Sequence, residues 1–261
     1  MKIGIFDSGM GGLSVLHCAK KMLPETHFIF YADEDHVPYG EKSREELRGY
    51  ITRALNYLVE RRVDAIVIAC NTATSIATPE FRQKFPVPIV GMEPAVKKAV
   101  ELYGTERRRI LVAATPVTVN GPKLQALLER VDAEHDADTV ALPGLVRLAE
   151  RGDFSSAAVS SYLRDALSSY DLAAYGTLVL GCTHFNYFKE SFKKIFPCPI
   201  HFVDGNLGTV QQLKRVLQVE DATPAPDRHC CDYVFSGRPV SRTARERIAA
   251  CLRQLDAVFH L

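Results

Sequence analysis

Two cysteines stand at matching places in the sequence, each after a short apolar run and before small polar residues. Cys70 follows the run in DAIVIACNTATS (64–75), and Cys182 follows the run in GTLVLGCTHF (176–185). At the end of a parallel strand, just before a helix, backbone amides and the helix dipole favour negative charge and so lower a thiol pKa. Two such thiols facing each other could take a proton from one face of a substrate carbon and return one to the opposite face. The pattern indicates a racemase or epimerase that needs neither a metal nor an organic cofactor.

Each of these cysteines could instead be a small core residue, because free cysteine is among the most buried residue types. Their matched context favours the chemical interpretation. The chain has seven cysteines, an odd number without a CxxC pair, in a protein too large to depend on disulfides, so reduced thiols are expected. The remaining five are interpreted as structural: Cys18, Cys198, Cys230, Cys231 and Cys251.

Polar residues next to the two cysteines could bind a small anionic substrate. Asn71 and Thr72 follow Cys70, and Thr183 follows Cys182, so their amide and hydroxyl groups are available to a carboxylate. His184 lies two residues after Cys182, where it could modulate that thiol or deliver a proton. Such a histidine is usually structural, but its place beside a strand-end cysteine favours a functional role.

A glycine-rich turn follows the first apolar run, in DSGMGGLSVL (7–16). It departs from the dinucleotide-binding pattern because Ser14 stands where the third glycine should be, and a Walker lysine is missing. We therefore expect an open backbone near a ligand rather than a nucleotide site, with Asp7 and Ser8 exposed at the strand end. Asp7 could orient a substrate ammonium group, or it could only cap the helix.

A cluster of acidic residues and a histidine, at 33–36, has the residue types that bind metal ions. Consecutive loop residues point apart and no second cluster completes a coordination shell, so we expect no metal. In the PYGEKS segment that comes next, Pro38 and Gly40 predict a tight turn that presents Tyr39 to a ligand.

Short β-rich runs alternate with longer amphipathic runs, which is typical of a parallel sheet covered by helices. The alternation occurs twice: Asp7 corresponds to Thr115 and Cys70 to Cys182, with nearly equal offsets. The predicted fold is α/β with two pseudo-symmetric domains, each a mainly parallel sheet flanked by helices, and an active site in the cleft between them.

We place the first domain at 1–95 plus 209–261 and the second at 96–208. The last strand and a helix from about Thr243 to Leu255 are expected to pack on the first half, because they cannot form a core alone. The other helices are predicted near 13–22, 43–61, after Thr74, 121–130, 145–151 and 155–169.

The composition is that of an ordinary globular protein, with 32 Lys and Arg against 31 Asp and Glu. This balance does not suggest a nucleic-acid partner, and neither a signal peptide nor a long apolar run is evident. We expect a soluble, cytoplasmic protein without a membrane partner.

The motifs FDSGMGGLSVL, PYGEKS, ACNTATS, GMEPA and LGCTHF, in this order and spacing over most of the chain, resemble those of the glutamate racemases in the Asp/Glu racemase family. The resemblance implies that Cys70 and Cys182 are the two catalytic bases, Cys70 acting on D-glutamate and Cys182 on L-glutamate. It implies that Asp7, Glu150 and His184 assist the thiols, although the sequence alone would make Glu150 a surface carboxylate. It also implies these substrate-binding positions: Asp7, Ser8, Tyr39, Gly40, Asn71, Thr72, Thr118, Thr183 and His184.

The family resemblance implies an isomerase without cofactor that supplies D-glutamate for peptidoglycan, and hence for cell wall biogenesis and cell shape. Its partner would be the small-molecule substrate, and a homodimer is expected. His184 favours glutamate, because related aspartate racemases usually carry an acidic residue there; Arg147 and Asn186 depart from the family pattern. An aspartate or broad-specificity amino acid racemase, or a catalytically silent binding protein with the same fold, remains the alternative.

Overall fold

The computed structural model describes residues 1–104, 108–132, 136–219 and 230–259. The strands have the following bounds: β1 Lys2–Asp7, β2 His27–Ala32, β3 Ala65–Ile68, β4 Ile89–Gly91, β5 Arg109–Ala114, β6 Ala137–Ala141, β7 Tyr175–Leu180, β8 His201–Asp204, β9 Cys231–Phe235 and β10 Arg238–Pro239. The α-helices have the following bounds: α1 Leu13–Met22, α2 Arg44–Glu60, α3 Asn71–Ile76, α4 Pro79–Arg82, α5 Val96–Tyr103, α6 Pro116–Val119, α7 Pro122–Val131, α8 Pro143–Glu150, α9 Ala157–Ala166, α10 Lys189–Ile195, α11 Asn206–Leu217 and α12 Arg242–Val258.

The strands form two sheets that have a four-strand order in common. The first sheet has the order β10-β9-β2-β1-β3-β4 and the second has the order β6-β5-β7-β8. All neighbours are parallel except the β9–β10 pair. The four strands β2-β1-β3-β4 thus correspond one by one to β6-β5-β7-β8, which confirms the predicted α/β fold with two similar halves.

The carboxyl ends of the central strands carry both cysteines. Cys70 lies two residues after β3 and Cys182 lies two residues after β7, and these strands hold equivalent positions in their sheets. The four residues of β3 are all buried, as expected for a strand covered on both faces. Since ligands collect at the carboxyl ends of parallel strands, this edge positions the candidate site.

Local sequence signals explain several helix boundaries. Helix α2 begins after Ser43, whose hydroxyl accepts a hydrogen bond from the Glu46 amide while the Glu46 carboxylate accepts from the Ser43 amide. The helix predicted after Thr74 begins earlier, at Asn71, because the Cys70 sulfur accepts from the Ala73 amide and caps α3 directly. The sequence offered no serine, threonine, aspartate or asparagine at that cap, so the earlier start was missed.

The C-terminal elements pack on the first half, as predicted. Strand β9 pairs in parallel with β2, and α12 contacts α1. The largest core cluster includes side chains from both sheets, such as Phe28 and Leu178. The predicted domain boundary between residues 208 and 209 falls inside α11, and the division of the chain at these boundaries remains a proposal. Among the described residues, the helices lack the combination of length and apolar character needed to cross a bilayer.

Candidate active site

A small cavity opens between the strand ends of the two sheets. Eight of the twelve residues singled out from the sequence line it: Ser8, Tyr39, Gly40, Cys70, Asn71, Thr72, Cys182 and His184. The four others do not line it: Asp7, Thr118, Glu150 and Thr183.

Cys70 presents its sulfur to the cavity from the start of α3. Its side chain is almost fully buried, and the sulfur lies 3.4 Å from the Ala73 amide and 3.6 Å from the Ser8 hydroxyl. Burial, with the nearby charge of Asp7, raises the pKa of Cys70 to about 12, although both hydrogen bonds act in the opposite direction. The low thiol pKa expected from the strand-end position is therefore wrong for Cys70, because desolvation outweighs the backbone amide.

Cys182 faces the same cavity from the other half and is paired with a histidine. The Cys182 sulfur lies 3.7 Å from His184 Nδ1, and both side chains are buried. Burial by itself lowers the pKa of His184, but hydrogen bonds to Cys182 and Glu150 raise it well above 6.5. A proton on His184 places a positive charge beside the sulfur, where an anion forms when that thiol gives up its proton.

Glu150 holds the far side of the His184 ring. His184 Nε2 lies 2.5 Å from Glu150 Oε1 and 3.2 Å from the Gly11 amide nitrogen, and the ring nitrogen cannot donate to one while accepting from the other. Because the pKa of His184 is raised, we assign the proton to Nε2 and the hydrogen bond to Glu150, which also accepts from the Met10 amide at 2.8 Å. The surface position that the sequence alone gave Glu150 is wrong: its side chain is 13% exposed and reaches the thiol's histidine.

Asp7 lies beneath the site and is fully buried, so the exposed position expected for it is wrong. Its carboxylate accepts from the Gly9 amide at 3.1 Å and from the Thr183 hydroxyl at 3.4 Å. Burial raises the pKa of Asp7 to about 6, against the lowering effect of His184 and the backbone amides. Ser8, beside it, is also buried rather than exposed, but it lines the cavity.

Replacing Asp7 with asparagine is expected to remove a pH-dependent loss of stability. The folded-state pKa of about 6 is higher than the ordinary value of 3.8. The folded protein therefore holds the proton more tightly, and this stabilising contribution is complete below about pH 4 and lost as the pH rises through about 6. Between about pH 5 and about pH 7.5, the variant's free energy of unfolding should rise by about 1.5 kcal/mol relative to the unaltered chain.

Urea unfolding at the two pH values measures this difference. Asp165→Asn, an exposed position on α9, is the control and should leave the pH dependence unchanged. If the free energy of unfolding of Asp7→Asn differed from that of the unaltered chain by the same amount at both pH values, the raised pKa of Asp7 would be contradicted.

A cluster of threonine hydroxyls joins the two halves beside Cys70. Thr72 Oγ1 lies 2.9 Å from Thr115 Oγ1 and 3.5 Å from Thr118 Oγ1, and Thr115 caps α6. Thr118 does not line this cavity but a neighbouring one, where Asn71 also lies. Gly40 fits against this cluster because a Cβ at its position would come within 2.9 Å of the Thr115 Cβ.

Tyr39 is part of the cavity wall rather than a free ring presented to a ligand. The ring is 1% exposed, and its hydroxyl donates to Asp33 at 2.6 Å. This hydrogen bond fixes the turn that carries Gly40. The turn therefore contributes both its backbone and the Tyr39 ring to the cavity wall.

Six residues that line the cavity were not among the predicted site residues: Pro38, Glu41, Thr115, Pro116, Pro143 and Val146. Thr115 had a signal, because the internal repeat aligned it with Asp7 at the end of the equivalent strand. The prolines and Val146 carry no chemical signal and shape the wall by packing alone. Glu41 forms an ion pair with Arg147 across the cavity mouth, from one half to the other.

Among the described residues, one group has the composition of a metal site. His27, Cys230 and Asp232 have potential ligand atoms within 4.8 Å of one another, at the surface beside the start of β9. None of them lines the cavity, and His27 already forms a 2.8 Å hydrogen bond with Asp232. The acidic loop at 33–36 does not form such a group, and Asp33 instead pairs with His36 and Tyr39.

Comparison with known proteins supplies a family for this geometry. The family model described as Asp/Glu/Hydantoin racemase matches residues 13–213. The chain is 49% identical over 247 residues to the glutamate racemase of Lachnospira eligens, covering 94% of this chain and 93% of that protein. It is similar to the structure of glutamate racemase from Campylobacter jejuni, with a TM-score of 0.81 and 26% identity over 97% of this chain and 98% of that one. It is also similar to Escherichia coli glutamate racemase in complex with L-glutamate and the activator UDP-MurNAc-Ala, with a TM-score of 0.79 and 28% identity over 97% of this chain and 94% of that one.

Proposed function

Because the chain belongs to the Asp/Glu/hydantoin racemase family, we propose that it interconverts L-glutamate and D-glutamate by proton transfer between two cysteine thiols. The observation that carries the proposal is the pair of cysteines, Cys70 and Cys182, that line one cavity from equivalent strand ends of the two halves. D-glutamate made in this way would supply peptidoglycan synthesis, the role of glutamate racemases.

Inversion at Cα requires an acid and a base on opposite faces of the carbon. From L-glutamate, the Cys182 thiolate takes the α-proton, the electron pair stays on Cα, and the Cys70 thiol gives its proton to the other face. From D-glutamate the roles exchange. The two sulfurs belong to different halves, so a substrate held between the halves has one sulfur on each side.

The buried environment suits this exchange of roles. With its pKa raised to about 12, the Cys70 thiol keeps its proton in the cavity and is ready to act as the acid. Once ionised, the same sulfur is a stronger base than an ordinary thiolate, which favours removal of a weakly acidic α-proton. At Cys182 the protonated His184 faces the sulfur and is itself oriented by Glu150.

The polar groups of the cavity match the functional groups of glutamate. Ser8, Asn71 and Thr72 offer hydroxyl and amide groups beside Cys70, and Asn71 Oδ1 is buried with no hydrogen-bond partner among the described residues. Acceptors of this kind bind a substrate ammonium, whereas the hydroxyls bind a carboxylate. Thr118 contacts Thr72, and Thr183 donates to Asp7, the residue before Ser8.

None of the described contacts favours the alternative substrates or a silent binding role. His184, paired with Cys182, is the residue that favours glutamate over aspartate. The homodimer and the cytoplasmic location predicted from the sequence stay predictions.

The function is tested by incubating the EDTA-treated protein with L-glutamate in D₂O, without added pyridoxal phosphate. We expect loss of optical activity, measured by circular dichroism. The proton NMR spectrum should also show that deuterium replaces the α-proton. L-aspartate is the control for substrate specificity, and the protein should racemise it much more slowly than L-glutamate. A requirement for a metal or for pyridoxal phosphate would contradict the two-thiol mechanism, and inert glutamate would contradict the proposed function.

A further inference from the structure

Arg247, on the C-terminal helix α12, lies directly behind the Glu150–His184 pair. Arg247 Nη2 donates to the Glu150 backbone carbonyl at 2.9 Å and lies 3.6 Å from Glu150 Oε2. That carboxylate oxygen is buried and has no hydrogen-bond partner among the described residues, so the guanidinium stabilises it by charge alone. Arg247 Nη1 and Nη2 also donate to the two carboxylate oxygens of Glu34, each at 3.2 Å.

These contacts form a continuous chain of alternating charge that ends at a thiol. Glu34 contacts Arg247, Arg247 contacts Glu150, and Glu150 contacts His184, which faces the Cys182 sulfur. The energies of charged pairs are coupled when the pairs share a member, so a substitution at one end of the chain changes the interactions at the other end.

The members of this chain come from separate elements. Glu34 follows β2, Arg247 lies in the second turn of α12, and Glu150 is the last residue of α8. The side chains of Glu34 and Glu150 are 18% and 13% exposed, so the two carboxylates are shielded from solvent, whereas the Arg247 side chain is 41% exposed. A second hydrogen bond keeps α12 in register with the site, from Gln254 to the Tyr187 carbonyl at 2.9 Å.

Without Arg247, two shielded carboxylates would face each other. Burial and the charge of Glu150 already raise the pKa of Glu34, and Arg247 opposes this shift. Removing one member of a shielded ion pair leaves an uncompensated charge, so the two carboxylates would separate or one would take up a proton. In either case Glu150 would no longer hold His184 in one orientation. The guanidinium also lies at the C-terminal end of α8, where a cation is favourable.

We propose that Arg247 is a positioning residue for the racemisation: it holds Glu150 so that His184 keeps its Nδ1 on the Cys182 sulfur. The proposal rests on the proposed function. It concerns the proton transfer at Cys182, and it leaves Cys70 and the substrate-binding groups unchanged.

The test compares Arg247→Met with Arg247→Lys, and with Arg253→Met as the matched control at an exposed position of the same helix. We expect Arg247→Met to lower kcat for L-glutamate by about 10- to 100-fold with little change in KM, since misplacement of a group at the reaction centre costs rates of this order. Arg247→Lys keeps the charge and should recover part of the loss. Arg253→Met should behave like the unaltered chain.

Primary isotope effects with α-deuterated substrates separate positioning from misfolding. The two enantiomers have equal free energy in water, so kcat/KM is the same in both directions and cannot report which thiol is impaired. If the barrier at Cys182 rises, the isotope effect should increase with L-glutamate and decrease with D-glutamate. A partly unfolded preparation would lower kcat and leave both isotope effects unchanged.

The outcomes distinguish the two proposals. If the unaltered chain does not racemise glutamate, the proposed function fails and this inference fails with it. If the unaltered chain is active, two results contradict the role of Arg247 but leave the proposed function intact. They are a wild-type kcat in Arg247→Met, and a lowered kcat with unchanged isotope effects.

Discussion

Replacing either Cys70 or Cys182 with serine should reduce racemisation of glutamate by three or more orders of magnitude. Loss of a positioned proton carrier commonly costs about 10²- to 10⁴-fold, and a serine hydroxyl is far less acidic than a thiol. Serine is close in size to cysteine, and at position 70 it is a favourable helix N-cap in place of the sulfur that accepts from the Ala73 amide. The loss at Cys70 should therefore reflect chemistry and not folding. Rates of change in optical activity, for both enantiomers, measure it.

Deuterium exchange in D₂O assigns each thiol to one face of the substrate. Cys70→Ser retains Cys182, so it should still exchange the α-proton of L-glutamate with retention of configuration, and it should leave D-glutamate unexchanged. Cys182→Ser should show the reverse. Cys198→Ser, at an exposed cysteine outside the cavity, is the control. Near-normal racemisation in either active-site variant, or exchange of both enantiomers by a single thiol, would rule out the two-base mechanism.

Replacing Gly11 with alanine should lower kcat by about 100-fold or more, because it forces apart the two loops that meet at the site. A Cβ at Gly11 would lie 2.5 Å from His184 Nδ1 and 2.7 Å from the His184 backbone nitrogen. The ring could rotate, but the backbone nitrogen cannot move without the whole 3₁₀ helix Thr183–Phe188. That helix follows Cys182 directly, so the displacement reaches the thiol. Steady-state kinetics and thermal unfolding of the variant measure the effect.

Gly49 provides a matched control for this substitution. It lies at an exposed position inside α2, and a Cβ there would meet nothing within 4 Å. Gly49→Ala should keep full activity and gain about 0.5 to 1 kcal/mol in stability, because alanine is the better helix former. Wild-type kcat in Gly11→Ala would mean that the glycine loop and the segment after Cys182 separate without consequence, against their close packing in the structure.

The strand-end arrangement of the two thiols is readable from the sequence because it depends on local pattern. An apolar run of four to six residues predicts a buried parallel strand, and the residues just after the strand lie at the sheet edge where ligands bind. The repeated pattern around Cys70 and Cys182 therefore predicted equivalent positions, and the matching strand orders of the two sheets confirm them.

Burial inside the site could not be predicted in the same way. Asp7 and Glu150 are acidic residues that each come two positions before a glycine, and locally they have the pattern of exposed positions. Their burial involves contacts from the other half of the molecule: Thr183 contacts Asp7, and the Met10 amide and Arg247 contact the Glu150 carboxylate. The pKa of Cys70 follows the same rule, since desolvation by distant residues outweighs its local helix-capping hydrogen bond.

By itself, the sequence determined the α/β alternation, the two similar halves, the pair of strand-end cysteines and the resemblance to glutamate racemases. Only the tertiary structure decided that Thr115 lines the cavity, that Glu150 holds His184, and that Arg247 joins them from the last helix. The physical reason is that the periodicity of apolar side chains predicts the type and the buried face of a single helix or strand. The contacts between charged groups of different elements depend on how the two halves pack, which no single stretch of sequence encodes.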